Sequence, residues 1–319
     1  MVPISYRRSS DLLITILQRL ATSAITAWAA ASFTFFTLRF AAGDPVAALL
    51  SRGLASPSDV DNLRRQLGLD QPLLQQYLQF LGGLLRGDMG NSLYTNRPVV
   101  DIIAEQFPAT LSLALLALVF TTLFAVLFGV GAAWWSHRRI GQLLESLSGT
   151  AIALPVIFIA TLSLLLYRAL RLATILPGES GLINLLLPAL VLAFSTSGGI
   201  AWTLQAGVQE NMLSPFFLAA KARGVGNGLP LLWHALKPAL PPAVSLFALE
   251  AAFLFTGTVV TETIFARPGL GRLLVQSILE GDYPVSQALV ALAAVVYTLS
   301  NGVADILATI LDPRIRRKT

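Results

Sequence analysis

The sequence predicts an all-α membrane protein of about six transmembrane helices, with a helical insertion outside the membrane between the first and second. Three observations carry this. Charged residues are only 12% of the chain and hydrophobic residues 55%, against about 25% charged in a soluble globular protein. The mean hydropathy is +0.70. Six nearly uncharged runs reach the roughly 20 residues a helix needs to cross about 30 Å of hydrocarbon; they lie near 20–38, 109–135, 146–167, 182–204, 239–261 and 285–308.

The first run follows Arg7, Arg8 and Arg19 and so has the charge pattern of a signal peptide. Its apolar stretch is longer than the roughly 7–15 residues of such a peptide, so it is read as a retained helix. Residues 1–19 then form a cytoplasmic N-terminus. An even number of spans puts both termini on one side, and lysine and arginine collect in cytoplasmic loops. Twelve basic residues fall on one side: Arg7, Arg8, Arg19, Arg138, Arg139, Lys221, Arg223, Lys237, Arg314, Arg316, Arg317 and Lys318. The short opposite loops hold Arg168, Arg171, Arg267 and Arg272, and the other six lie in the long 39–108 segment, which the rule exempts. Both termini are therefore expected in the cytoplasm, and a pI near 9.9 calls for no nucleic acid partner.

The segment 39–108 is too polar to span and is punctuated as a small helical layer. Ser56-Pro57-Ser58-Asp59 sets a capping residue, a proline at the first helical position and an acid at the third, and Gly68 closes that helix. Pro72 opens a second, in which Leu74, Tyr77, Leu78, Leu81 and Leu85 share a face. That face would either lie on the bilayer or pack against helix ends, packing being the plainer reading.

Residues 109–311 hold the other five spans and 312–319 a cytoplasmic tail. Pro155 and Pro188 are expected to kink the third and fourth spans. Glu250 lies near the middle of the fifth, where a charge costs about 2.5–3.5 kcal/mol on insertion scales, so it should face the bundle interior or a watery cavity. It would line a translocation path or make a buried helix-helix hydrogen bond. Thr256, Gly257, Thr258, Thr261 and Glu262 follow; Thr256, Thr258 and Glu262 either join Glu250 on the path or simply pack helices closely. Asp305 is placed at the cytoplasmic interface.

The cytoplasmic loop 212–238 is long and helix-punctuated. Ser214-Pro215 starts a short helix through Leu218, Ala219, Ala220 and Arg223, and Gly224 ends it. Val225 to Gly228 make a turn; Pro230 begins a second short helix through Trp233 and Leu236, ending near Lys237-Pro238. Small residues at Ala219, Ala220 and Ala222 would let another protein's groove approach, and Gly224 permits a sharp bend. The pair reads as a docking knob or as an ordinary interfacial hairpin.

The blocks LAAKARG (Leu218 to Gly224) and HALK (His234 to Lys237) resemble the EAA loop of ABC importer permeases. That loop reads E-A-A, three residues, G, nine residues, I-x-L-P. Ala219, Ala220, Gly224 and Leu236 match, whereas Leu218 stands for the Glu, His234 for the Ile and Lys237 for the Pro. A narrower branch, the dipeptide, oligopeptide and nickel importer permeases, is similar across AKARGV and HALKPALPP. It is also similar at AAGDP (Ala41 to Pro45), LGLDQPLLQQYLQFLGGLLRGDMGNS (Leu67 to Ser92), RPV (Arg97 to Val99), FPATLSLALLAL (Phe107 to Leu118), TETIFARPGLGRLL (Thr261 to Leu274), DYPV (Asp282 to Val285) and LDPRIR (Leu311 to Arg316). The resemblance covers nearly the whole chain.

It implies a type I importer permease fold in the bacterial inner membrane. The implied partners are a second homologous permease, two cytoplasmic ATPase subunits and a periplasmic or lipid-anchored binding protein, all in a lipid bilayer. The loop carrying Leu218, Ala219, Ala220, Arg223, Gly224, His234 and Leu236 would seat in an ATPase groove. The expected cargo is a dipeptide, an oligopeptide or a related small solute, with nickel or a metal chelate as the alternative.

No G-x-x-x-x-G-K-[ST] loop occurs, so ATP and Mg would be bound by the partner subunits and no cofactor by this chain. With no cysteine, thiolate sites and disulfides are excluded. His137 and His234, the only histidines, both fall in cytoplasmic loops, and no catalytic or metal-binding residue is assigned. An ion-coupled secondary transporter using Glu250 and Asp305 is the rival from another class; the inverted repeat common in such folds is not visible. A membrane-embedded enzyme lacks any nucleophile with a nearby base.

Overall fold

The computed structural model describes residues 9–41, 64–65, 68–170, 182–224, 228 and 231–311. The helix start at Ser56, the turn at Val225 to Asn227, the 312–319 tail and the side chains of Thr256, Gly257 and Asp305 lie outside the described residues.

The described chain is helical, in the order α1 (Ser9–Ala41), α2 (Leu73–Arg86), α3 (Val99–Trp134), α4 (Arg139–Ala153), α5 (Val156–Ala169), α6 (Leu182–Met212), α7 (Pro215–Ala222), a π-helical segment (Leu231–Leu236), α8 (Lys237–Ile264), α9 (Leu270–Glu280) and α10 (Tyr283–Leu311). Among the described residues α1, α3, α6 and α10 are long and apolar enough to cross a membrane, and α4 with α5 would make a fifth crossing. α8, which carries Glu250, fills the remaining predicted run with 28 residues.

The third run differs from the expected single kinked span. α4 and α5 meet at a bend of 111°. Leu154 (φ −93°, ψ 128°) and Pro155 (φ −59°, ψ 140°) are both extended, because a proline ring disfavours helical backbone in the residue before it and offers no N–H. Pro188, by contrast, sits inside α6 without interrupting it. The helix of the second run starts before that run: α3 begins at Val99 and takes Pro108 into its interior. Its 36 residues run about 54 Å at 1.5 Å each, well beyond the hydrocarbon.

The chain divides into two compact units, Met1–Pro108 with Arg272–Leu299, and Ala109–Gly271 with Ser300–Thr319. In the first, α2 is fastened to the end of α1. The Ser32 and Tyr77 hydroxyls are 2.7 Å apart, Phe35 stacks on Phe80 with centroids 5.3 Å apart, and Arg39 Nε donates to Gln76 Oε1 at 3.0 Å while its guanidinium covers the Phe35 ring. The predicted glycine stop at Gly68 is present, with φ +61° and a Leu69 N–H to Arg64 carbonyl bond of 2.9 Å. The predicted leucine face divides: Tyr77 packs on Phe35 and Phe36 of α1 and Leu81 is half-buried, while Leu74, Leu78 and Leu85 are exposed. In the same unit Asp282, at the start of α10, accepts from Ser92 Oγ at 2.6 Å and from the Leu93 N–H at 3.2 Å. Burial pushes its carboxyl up and these bonds pull it back.

The second unit is organised around α6. Leu192, Ile200, Ala201, Leu204 and Val208 bury into separate apolar clusters with Leu113, Ala125, Phe128 and Ala133 of α3 and with Ala239, Ala243 and Leu254 of α8. Helices in lipid gain little from the hydrophobic effect on meeting one another, so close approach through small residues carries the packing. Gly129 shows how close: a Cβ there would lie 2.5 Å from the Ala201 carbonyl oxygen. Thr121 and Thr196 add a hydroxyl bond of 2.8 Å between α3 and α6.

Gly129→Ala should therefore force α3 from α6 and destabilise the chain by about 1–3 kcal/mol. Gly149→Ala, where the added methyl meets nothing within 4 Å, should be neutral or stabilising by up to about 1 kcal/mol through helix propensity. Thermal melts of the two variants in one detergent check this; equal midpoints would contradict the close-packed seam.

Candidate functional site

The loop 212–238 forms the first helix that the sequence sets up. Ser214 is extended before Pro215, which occupies the first turn of α7 where no N–H is needed. Ser214 Oγ bonds back to the Asn211 carbonyl at 2.5 Å instead of capping α7. After Ala222 the chain turns at Gly224 with φ +77°. No atom lies within 4 Å of where its Cβ would stand, so it is the backbone conformation, and no contact, that calls for glycine.

Phe217 holds this helix in place. Its side chain is buried with Ala133 of α3, Val208 of α6, Ala235 of the π segment and Ala239 of α8, with Met212 and Leu236 packed alongside. Asn211 Nδ2 donates to the Ala235 carbonyl at 3.1 Å and fastens the end of α6 to the same segment. Outward, Leu213, Phe216 and Leu218 are exposed, Ala219 and Ala220 half-buried, and Arg223 and Gly224 open to solvent. His234 is half-buried and meets the Phe216 ring edge-on at 6.2 Å.

The second short helix of the loop does not end at Lys237-Pro238 as expected. The π-helical turns from Leu231 to Leu236 run directly into α8. Pro238, Pro241 and Pro242 remove three N–H donors from the first six residues of α8, so the ladder starts incomplete and the backbone upstream is wound wide. The π-helical segment and α8 are thus continuous helical backbone.

Toward the other end of α8, Thr258, Thr261 and Glu262 have no exposed surface. Glu262 Oε1 accepts from Thr110 Oγ at 2.7 Å and Oε2 from the Gly271 N–H at 2.7 Å. Thr110 Oγ in turn accepts the Leu270 N–H at 2.8 Å. The turn between α8 and α9 is folded around this carboxylate: a Cβ on Gly269 would lie 2.3 Å from Glu262 Cδ, and one on Gly271 2.4 Å from Val259 Cα. Ala266 takes φ +51°, the Arg267 N–H closes on the Glu262 carbonyl at 2.9 Å, and the Arg267 guanidinium donates to Ala109 O and Ser112 Oγ. Desolvation holds the Arg267 pKa below its usual range, partly offset by the Glu262 charge.

Of the four residues read as a candidate path, Glu262 and Thr258 are fully buried, and the Thr256 side chain lies outside the described residues. Glu250 is half-buried. Sequence reasoning missed Phe217, Asn211 and Thr110. The available signals were the Phe216-Phe217 pair inside an aqueous loop and the threonine within the Phe107 to Leu118 block.

Residues 125–317 match the family described as binding-protein-dependent transport system inner membrane component. Residues 12–114 match the N-terminal family of such membrane components. A putative peptide transport system permease protein of Brucella abortus is 35% identical over 309 residues, covering 94% of this chain and 98% of the relative. A probable D,D-dipeptide transport system permease protein of Escherichia coli is 33% identical, covering 89% and 92%. A glutathione transport system permease protein of Escherichia coli is 32% identical, covering 95% and 99%.

Glu262→Ala should strand the Thr110 hydroxyl and the Gly271 N–H, each an unmet buried group costing about 1–3 kcal/mol. Glu262→Gln, whose amide can still accept from Gly271 and donate to Thr110, should lose much less. Melting midpoints in detergent separate the two; an Ala variant as stable as the Gln variant would show that the turn does not depend on the carboxylate.

Proposed function

The chain belongs to the binding-protein-dependent transport system inner membrane components, and from that premise we propose that it is one permease half of an importer for peptides or closely related small solutes, working by alternating access. It is a multi-pass membrane transport subunit and not an enzyme. In the proposed assembly a second permease lies beside it, two ATPase subunits dock beneath, and a binding protein delivers cargo from above. Both termini face the cytoplasm in this reading, in line with the basic-residue asymmetry. The names of the relatives favour peptide-like cargo and lend nothing to nickel.

The observation that carries the proposal is the mounting of α7. Its outer side offers Phe216, Leu218 and the bend at Gly224, while Phe217 inserts into a cluster shared by α3, α6, the π segment and α8. A groove that grips α7 and moves it would push on Phe217. The displacement then passes through the π segment into α8, because no break in the helical backbone intervenes. Glu250 rides on that helix. ATP-driven closure beneath the membrane would in this way move a polar side chain within it, and Glu250 would offer a counter-charge to the ammonium of a peptide. Thr258 and Glu262 would enter the path only if the α8–α9 turn opened.

With both ATPases and the partner permease coexpressed, Leu218→Asp and Ala220→Asp should lose ATPase co-purification, and Gly224→Val should uncouple transport, since a β-branched residue at positive φ costs about 1–2 kcal/mol. The chain alone should hydrolyse no ATP. Normal assembly and transport in all three variants would remove the loop from the coupling role.

Glu250→Gln keeps the side chain's size and removes only its ionisable proton. In proteoliposomes assayed from about pH 5.5 to 8, the variant should transport a labelled dipeptide more slowly or with an altered pH profile. A rate and profile equal to the parent's would take the charge off the path.

A further inference from the structure

We propose that α2 lies in the boundary between lipid headgroups and acyl chains, as an interfacial anchor whose leucine strip faces the hydrocarbon. The inference rests on the reading of α1 as a membrane span.

The contacts with α1 set the depth. The apolar window of α1 ends at Phe40. Arg39, one residue before that end, bonds Gln76, and Ser32 bonds Tyr77. At 1.5 Å per residue Ser32 lies about 12 Å inside the window's end. The middle of α2, Gln76 to Phe80, is therefore held between the end of the span and about 12 Å within it, the same band in which amphipathic interfacial helices bury their apolar face, about 5–10 Å into the boundary.

The faces of α2 fit that position. At 100° per residue, Gln76, Tyr77 and Phe80 point to α1, as their contacts show. Gln75, Gln79 and Arg86 form an exposed polar strip. Leu74, Leu78 and Leu85 form a third strip, exposed by 69%, 59% and 88% and lacking any polar group. An apolar strip and a polar strip about 100° apart, on a helix clamped at boundary depth, match acyl chains on one side and headgroups and water on the other. The apolar exposure continues on α1 itself, where Phe33 and Phe40 are open on the flank of the same seam. Exposed leucines at this depth thus meet lipid, the solvent for which they carry no desolvation cost.

The test uses the absence of cysteine. Single cysteines at Leu74, Leu78, Leu85, Gln75, Gln79 and, as control, Phe33 are spin-labelled in the full chain, assembled with its partner permease and ATPases in phosphatidylcholine/phosphatidylglycerol vesicles. Collisions with oxygen, which partitions into hydrocarbon, and with a water-soluble nickel chelate are compared. The ratio of oxygen to chelate collisions should be severalfold higher at Leu74, Leu78 and Leu85 than at Gln75 and Gln79, and high at Phe33. High chelate collision at the leucine positions would place the strip in water and overturn the proposal. Shielding from both reagents would mean that a protein partner covers it, which overturns it equally. A Phe33 label open to the chelate would instead remove α1 from the membrane, and the depth argument with it.

Discussion

A backbone N–H or C=O left without a partner in hydrocarbon costs several kcal/mol, and most of this fold follows from how that cost is avoided. Long uninterrupted helices satisfy it by default, which is why α3, α6 and α10 run for 36, 31 and 29 residues. The informative places are those where the ladder is broken. At Leu154-Pro155 the chain leaves the helix for two residues and bends by 111°. At the start of α8 three prolines delete donors, and the backbone answers with π-wound turns. At the end of α8 a side chain takes over, and the Glu262 carboxylate accepts an N–H that the turn would otherwise bury unpaired.

Each of these breaks is closed in a different way. Around α6 nothing is broken, and small residues bring helix backbones nearly into contact; this is the stiff part. The mounting of α7 couples the two regimes. Phe217 is set in the packed centre while its neighbours Phe216 and Leu218 face outward, so adjacent residues on one short helix belong to the frame and to the surface that a partner would grip.

The fold class, the Pro215 start and the Gly224 turn were legible because they depend on composition and on local backbone rules. So was the stop at Gly68. The extent of the elements was less legible: α3 begins at Val99, and hydropathy alone cannot tell a helix projecting from the bilayer from a loop. The kink expected at Pro155 is there, but its size, 111°, was not legible, since proline sits inside α6 at Pro188 without breaking it and the local sequence does not distinguish the two. In the candidate site the surface residues could be named in advance, whereas Phe217 and Thr110 could not. Their roles are defined by partners far along the chain, Thr110 standing 152 residues before the carboxylate it meets.

That separation sorts the two bonds by origin: the Gly271 N–H, nine residues beyond Glu262, reaches the carboxylate through a local turn, whereas the Thr110 hydroxyl reaches it only where α3 and α8 lie side by side. Loss of this one carboxylate would therefore loosen a turn and a helix contact together.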